Sequence, residues 1–163
     1  MRVSGMFDFP NPVNEKAARV VAGVVAVTGL IILATGAYWL LIPLAYGFWA
    51  RVLAGPRLSP LAQLATKVVA PRLGPPREVA GPPKRFAQGM GAAMTTLGLV
   101  ALALGWTTAV TVLLALLVVA ATLESAFALC LGCKVFAGLM RAGVIPETVC
   151  VECADISRRF VKA

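Results

Sequence analysis

The sequence has no histidine and few charged residues. Charged side chains make up 13% of the 163 residues, whereas apolar side chains make up 60%. A soluble domain is about half apolar and about a quarter charged, so this composition excludes an ordinary soluble domain and is typical of a membrane protein. Because histidine is absent, cysteine is the only nitrogen- or sulfur-bearing zinc ligand that the side chains can offer.

Two long segments, 20–50 and 86–123, contain no charged side chain at all. One membrane span needs about 20 apolar residues, so each segment is too long for a single helix. Each segment also has a break, at 35–37 and at 105–108. The sequence therefore predicts an all-α integral membrane protein with four transmembrane helices arranged as two hairpins. The predicted spans are 17–35, 37–54, 87–104 and 107–129.

The basic residues outnumber the acidic ones by 15 to 7, which in a soluble protein would suggest a nucleic-acid partner. Here their positions indicate membrane topology instead, because they lie at the N-terminal end, in the middle loop and in the tail, and never in the turn inside a hairpin. The positive-inside rule places all three segments, and hence both termini, in the cytoplasm. The aromatic residues Tyr38, Trp39 and Trp106 fall at the two opposite turns, as expected for an aromatic belt. We expect no nucleic-acid partner.

These patterns divide the chain into five segments. They are an N-terminal cytoplasmic arm (1–16), a first transmembrane hairpin (17–54), a basic cytoplasmic loop (55–86), a second transmembrane hairpin (87–129) and a cytoplasmic tail (130–163). Asn14 is expected to cap the first helix, with Glu15 favourable in its first turn. In the tail we expect a short helix over 134–141 that Gly143 ends, and a last helix that begins at Pro146.

The basic loop is expected to contain an amphipathic helix lying on the inner membrane surface. Ser59 and Pro60 have the residue types of an N-cap and a first helical residue. The apolar stripe of this helix is Leu61, Leu64, Ala65, Val68 and Val69. The following LGPPREVAGPPKR contains two Pro-Pro pairs and is expected to be an extended connector. Five basic residues are candidates for contact with anionic lipid headgroups, the alternative being that they only set topology: Arg57, Lys67, Arg72, Lys84 and Arg85.

All four cysteines lie after the last predicted span, as two C-x-x-C pairs, Cys130 with Cys133 and Cys150 with Cys153. The whole pattern, C-x2-C-x16-C-x2-C, has the spacing of a four-thiolate zinc site, and the same four thiolates could hold an iron–sulfur cluster. A C-x-x-C pair is also the spacing of a reactive dithiol. The spacing alone leaves metal binding and thiol exchange as alternatives.

Local charges mark no cysteine as an activated nucleophile. Lys134 favours a thiolate at Cys133, but the C-terminal end of the last span is negative and opposes one. Glu152 and Asp155 oppose a thiolate in the second pair. These charges mildly favour a bound metal, whose own charge keeps thiolates ionised.

Glu124 is the one acidic residue near the inner end of the last span. A carboxylate inside a membrane is a functional candidate, here a proton carrier. The alternative is that it faces the basic residues at the interface. On a straight helix the rise from Glu124 to Cys130 is about 9 Å, too far for contact without a bend.

Three segments resemble the bacterial membrane family known as domain-of-unknown-function family 4395. They are VNEKAAR before the first span, CLGCKVF after the last span, and RAGVIPETVCVEC in the tail. The resemblance covers about 10–155 and carries no assigned activity. It implies a bacterial inner membrane, and a sulfur or thiol context, because actinobacterial members are often encoded near sulfurtransferases and thioredoxin-like proteins. By the resemblance, Cys130 and Cys133 match the more characteristic motif, and the second pair matches an actinobacterial-style tail.

Three functions remain as alternatives. In the first, Cys130 and Cys133 exchange electrons or persulfide sulfur with a thioredoxin-like or sulfurtransferase partner, and Cys150 and Cys153 are the resolving or receiving pair. In the second, the four cysteines bind one Zn²⁺ in a structural or scaffolding subunit of a membrane complex. In the third, a homo-oligomer transports a small sulfur-containing solute, with Glu124 and the cysteines at its inner mouth.

Overall fold

A computed structural model describes residues 9–150, and this part of the chain is predominantly helical. The helices that form the main body are α1 (Glu15–Thr35), α2 (Leu41–Ala54), α5 (Gly81–Ala103) and α6 (Thr107–Phe127). Two short helices, α3 (Pro60–Leu64) and α4 (Ala70–Arg72), lie in the middle loop, and α7 (Leu131–Arg141) follows the main body. The prediction of an all-α protein is confirmed.

Among residues 9–150, three helices are long and apolar enough to cross a membrane, namely α1, α5 and α6. They indicate a membrane protein. The remaining predicted span corresponds to α2, which has 14 residues and is preceded by a 3-10 turn at Tyr38–Leu40.

The two predicted breaks coincide with sharp turns of the chain. Gly36, which follows α1, has a φ of 71°, and Gly105, which lies between α5 and α6, has a φ of 75°. Glycine adopts this left-handed conformation at little cost because it has no Cβ. Trp39 and Trp106 follow these glycines and are both exposed.

The four long helices pack in the order α1–α6–α5–α2, so α1 and α2 each pack mainly on a helix of the second predicted hairpin. Glycines permit the closest approaches. A Cβ added to Gly91 of α5 would lie 2.2 Å from the Phe48 ring of α2, and one added to Gly29 of α1 would lie 2.5 Å from Val118 of α6. Glycines at these contacts thus allow α5 to approach α2 closely and α1 to approach α6 closely.

The helix predicted in the middle loop begins where expected. The Ser59 side chain accepts a hydrogen bond from the backbone N–H of Ala62 (3.4 Å), and Pro60 is the first helical residue. The face of this helix that packs on α1 consists of alanines, and contact of the predicted apolar stripe with the membrane surface stays a prediction. The residues buried there are Ala62, Ala65 and Ala70, whereas Leu64 and Val68 are exposed.

The predicted extended connector ends earlier than expected. The helix α5 begins at Gly81, so the second Pro-Pro pair and Lys84 belong to its first turn. Proline is well suited to that turn because the first amide groups of a helix need no helical partner. Before it, β2 (Glu78–Val79) pairs antiparallel with β1 (Val13–Asn14).

The N-terminal arm is fixed to the loop at the start of α1. Asn14 caps the helix by accepting from the N–H of Lys16 (3.0 Å), as predicted. Glu15 is buried in the first turn and pairs with Arg77 at 3.1 Å. The starts of α1 and α5 therefore lie at one end of the bundle, together with the ends of α2 and α6. We call this the basic end, and the end that holds Gly36 and Gly105 the turn end.

Candidate dithiol site

The first cysteine pair lies at a reversal of the chain. The helix α6 ends at Phe127, and Ala128 takes a left-handed conformation with a φ of 55°. Cys130 then caps α7, and its sulfur accepts a hydrogen bond from the backbone N–H of Cys133 (3.3 Å). The helix expected over 134–141 thus begins at Leu131. The negative C-terminal end of α6, expected to oppose a thiolate, is thus followed directly by the positive N-terminal end of α7, which favours one.

The two sulfurs contact each other directly. Both cysteines are free thiols, and the Cys133 Sγ donates to the Cys130 Sγ over 2.7 Å. This hydrogen bond is the main reason why the pKa of Cys130 is lowered, and the charge of Lys84 adds to it, while burial and the charge of Glu124 oppose it. The same hydrogen bond, followed by burial, raises the pKa of Cys133. The shared contact thus favours ionisation of Cys130 over ionisation of Cys133.

Gly132, between the two cysteines, packs directly on α5. A Cβ at this position would lie 2.5 Å from the Cβ of Ala87 and 2.6 Å from its Cα. One turn further along α7, the rings of Phe136 and Phe86 lie 5.6 Å apart. The pair is thus held against the first turns of α5, with Cys130 buried and Cys133 partly exposed.

Beside the pair lies a buried ion pair between α5 and α6. The Lys84 Nζ donates to the Glu124 Oε1 over 2.5 Å, and the two side chains are only 9% and 13% exposed. Lys84 therefore does not face lipid headgroups as predicted, because the early start of α5 turns it into the bundle. Glu124 faces a lysine, one of the two alternatives that the sequence left open. The reversal at Ala128 supplies the bend that brings the cysteines within electrostatic reach of this carboxylate.

Arg51 is a component of the site that the sequence did not reveal. It is buried in the last turn of α2, its Nε donates to the Gln88 Oε1 (2.7 Å), and its guanidinium lies 4.6 Å from the centre of the Phe48 ring. Its charge interacts with Glu124, and its Nη2 has no hydrogen-bond partner among the described residues. In the sequence it follows a long apolar segment and has the pattern of an ordinary topology signal.

The other basic candidates lie on the surface. Arg57, Lys67, Arg72 and Arg85 are exposed, and their contact with lipid stays a prediction. Arg85 has a structural contact as well, since its Nε donates to the carbonyl of Val52 near the end of α2 (2.9 Å).

The four-cysteine metal set is only partly within the described residues. Cys150 is buried after a 3-10 turn at Glu147–Val149 and is disulfide-bonded, whereas Cys153 lies outside residues 9–150, as does most of the predicted last helix. Within 9–150, no three cysteine or acidic side chains lie close enough together to hold a metal ion. The residues placed together are the two thiols of the first pair, beside Lys84 and Glu124.

A helical membrane protein with a dithiol at its basic end is the class that this geometry defines. The chain belongs to the family described as domain of unknown function (DUF4395), whose match covers residues 13–141. The resemblance seen in the sequence is thereby confirmed. The match includes Cys130 and Cys133 and ends before the second pair. No curated protein and no solved structure shows a significant match to the chain.

Proposed function

We propose that this protein is a membrane-bound thiol–disulfide exchange protein whose Cys130–Cys133 pair cycles between dithiol and disulfide. The observation that carries the proposal is the separation of only 2.7 Å between the two sulfurs at the start of α7. A C-x-x-C pair at a helix N-terminus has a lowered thiol pKa, and the thiolate is the form that exchanges.

The exchange transfers two electrons between this pair and a second dithiol. A thiolate of one protein attacks the disulfide of the other, which forms a mixed disulfide and releases one thiolate. The remaining cysteine of the attacking protein then attacks the mixed disulfide, so that one disulfide and one dithiol have changed places. Glu124 is the group proposed to exchange a proton with Cys133, because its ion-pair partner Lys84 precedes by one turn the Ala87 that packs on Gly132 between the two cysteines.

The proposed partner is a thioredoxin-like protein. If the pair transfers sulfur instead of electrons, the proposed partner is a sulfurtransferase that delivers a persulfide. The partial exposure of Cys133 supports contact with a soluble protein. The proposed setting is a bacterial inner membrane with four spans and cytoplasmic termini. It is supported by the grouping of basic residues at one end and by the near-continuous helical stretch 38–54, which reaches about 25 Å at the rise of an α-helix.

The test is to equilibrate the purified protein in lipid nanodiscs with buffers of reduced and oxidised glutathione. The thiols are then alkylated with a maleimide that shifts the band on a gel. We expect one two-electron transition from the Cys130–Cys133 pair, and we expect Cys130→Ser or Cys133→Ser to remove it. The matched control is Cys150→Ser with Cys153→Ser, which should leave it intact.

A pair that stays reduced even in oxidised glutathione alone would contradict the proposal. The same maleimide reaction, applied to right-side-out and inverted vesicles with an impermeant reagent, tests the orientation. Labelling of Cys133 only in inverted vesicles is the expected result.

A further inference from the structure

The buried charges beside the dithiol do not balance. In the part of the chain that the structure describes, Arg51 and Lys84 are both buried cations, and Glu124 is the carboxylate that interacts with each of them. Two positive charges thus share one negative charge. The buried Arg51 Nη2 that lacks a hydrogen-bond partner among residues 9–150 is the local sign of this excess.

One face of α5 connects these charges to the cysteines. Lys84 contacts Glu124, Ala87 contacts Gly132 between the two cysteines, and Gln88 contacts Arg51. Residues three and four apart lie on the same helix face, so the ion pair, the dithiol and the guanidinium surround a single turn. Two more basic residues lie near these helix ends, Arg19 at the carbonyls of Ser125 and Ala126 and Arg85 at the carbonyl of Val52, whereas the buried Glu15 of α1 is paired with Arg77.

The excess positive charge affects the two redox states differently. Reduction makes Cys130 an ionisable thiol, and its thiolate form supplies the negative charge that the cluster lacks. A disulfide is neutral and leaves a cation without a counter-ion, which is unfavourable in a buried site. A dithiol whose reduced form is stabilised is an oxidant toward other dithiols.

We propose that the Arg51–Lys84–Glu124 cluster makes this pair an electron acceptor, whose substrate is the reduced dithiol of a partner protein. This inference rests on the proposed exchange function. It adds the direction of electron flow and the identity of the cysteine that is attacked first. The partner thiolate attacks the Sγ of Cys133, which is the more exposed cysteine, and the buried Cys130 leaves as a thiolate. The lower the pKa of a leaving thiol, the faster it leaves.

The reaction is balanced without a further reagent. The partner loses two protons as its two thiolates react in turn. The second thiolate attacks the partner sulfur that is bonded to Cys133, which closes the partner disulfide and releases Cys133. Cys133 takes up one proton, and the other proton enters the solvent. The products are the partner disulfide and a pair with Cys130 as thiolate and Cys133 as thiol.

The first test compares reduction potentials in nanodiscs with reduced and oxidised glutathione as the redox buffer, in the background with Cys150→Ser and Cys153→Ser. Lys84→Met removes a cation beside Cys130, and we expect about a tenfold lower equilibrium constant for reduction, or about 30 mV. Glu124→Gln removes the anion, and we expect a shift of similar size in the opposite direction. Arg51→Gln should shift the potential in the same direction as Lys84→Met, but by less, because it acts through Glu124.

The opposite signs separate an electrostatic role from damage to the fold. The double variant Lys84→Met with Glu124→Gln should return close to the starting potential. Glu15→Gln, which changes a buried carboxylate of another ion pair, should not alter it. The rate at which Cys130 reacts with iodoacetamide follows its thiolate fraction. The pH at which this rate reaches half of its maximum should rise in Lys84→Met and fall in Glu124→Gln.

The second test identifies the cysteine that is attacked. The oxidised protein is mixed with glutathione, quenched with N-ethylmaleimide and mapped by mass spectrometry. Glutathione bound to Cys133 is expected, and glutathione bound to Cys130 would overturn the order of attack. Shifts of the same sign in Lys84→Met and Glu124→Gln, or no shifts, would overturn the electrostatic inference. If the unmodified pair does not exchange at all, the proposed function itself fails.

Discussion

The two ends of the helical bundle are built in different ways. At the turn end the chain reverses at Gly36 and Gly105, and the tryptophans beside these turns are exposed. At the basic end, arginine side chains from other helices reach the last carbonyl groups of α6 and α2. The turn end thus depends on local backbone conformation, whereas the basic end depends on contacts between residues far apart in the sequence.

This difference determines where a reactive site can form. The turns at Gly36 and Gly105 each join two helices that are consecutive in the sequence. The dithiol requires α5, α6 and α7 at once, because Lys84, Glu124 and the cysteines come from all three. We therefore expect substitutions at the helix contacts of the basic end to affect the dithiol more strongly than substitutions elsewhere.

The largest effect is expected for Gly132→Ala. Its Cβ would lie 2.6 Å from the Cα of Ala87, which is backbone and cannot move aside. We expect the free energy of unfolding to fall by about 3 kcal/mol, the upper range for overpacking. Denaturation in detergent followed by circular dichroism measures the loss, and the redox transition of the dithiol should broaden or disappear.

The matched control on the same helix is Gly138→Ala. A Cβ at Gly138 meets nothing within 4 Å, so this change should stabilise α7 by about 0.5–1 kcal/mol through helix propensity. Equal effects of the two substitutions would show that α7 does not pack on α5 through Gly132.

A smaller effect is expected for Gly91→Ala at the contact between α5 and α2. The new Cβ would lie 2.2 Å from the Phe48 ring, whose side chain can partly move away. We expect a loss of about 2 kcal/mol. The same measurement on Gly89→Ala, where a Cβ meets nothing within 4 Å, is the control. The double variant Gly91→Ala with Phe48→Leu should recover the lost stability. If it does not, the loss in Gly91→Ala does not come from the contact with the Phe48 ring.

The features that were predicted correctly from the sequence rest on local signals. The breaks at Gly36 and Gly105 and the caps at Asn14 and Ser59 each depend on a few adjacent residues. So does the apolar character of α1, α5 and α6, which a charge-free segment makes visible.

The features that were missed depend on neighbours in space. Pro82 and Pro83 are typical of a connector, yet they also fit a first helical turn, and the pairing of the N-terminal arm with the loop decides between the two. Ala128 is not a glycine, so no sequence signal announced the reversal that makes Cys130 an N-cap. Once α5 begins early and α7 folds back, Lys84 becomes buried beside the dithiol, which periodicity alone could not show.

The smallest effect is expected for Arg19→Gln, which tests the arginine contacts of the basic end. The Arg19 Nε and Nη2 donate to the carbonyls of Ser125 (2.9 Å) and Ala126 (3.1 Å) in the last turn of α6. Hydrogen bonds from a charged group are worth about 1.5–3 kcal/mol, but partial exposure of this side chain reduces the expected loss to about 1 kcal/mol. Arg141→Gln, an exposed arginine at the end of α7, should change the unfolding free energy by less than about 0.5 kcal/mol. If Arg19→Gln changes the unfolding free energy equally little, water replaces the arginine at these carbonyls. The two ends of the bundle then differ less in construction than their contacts indicate.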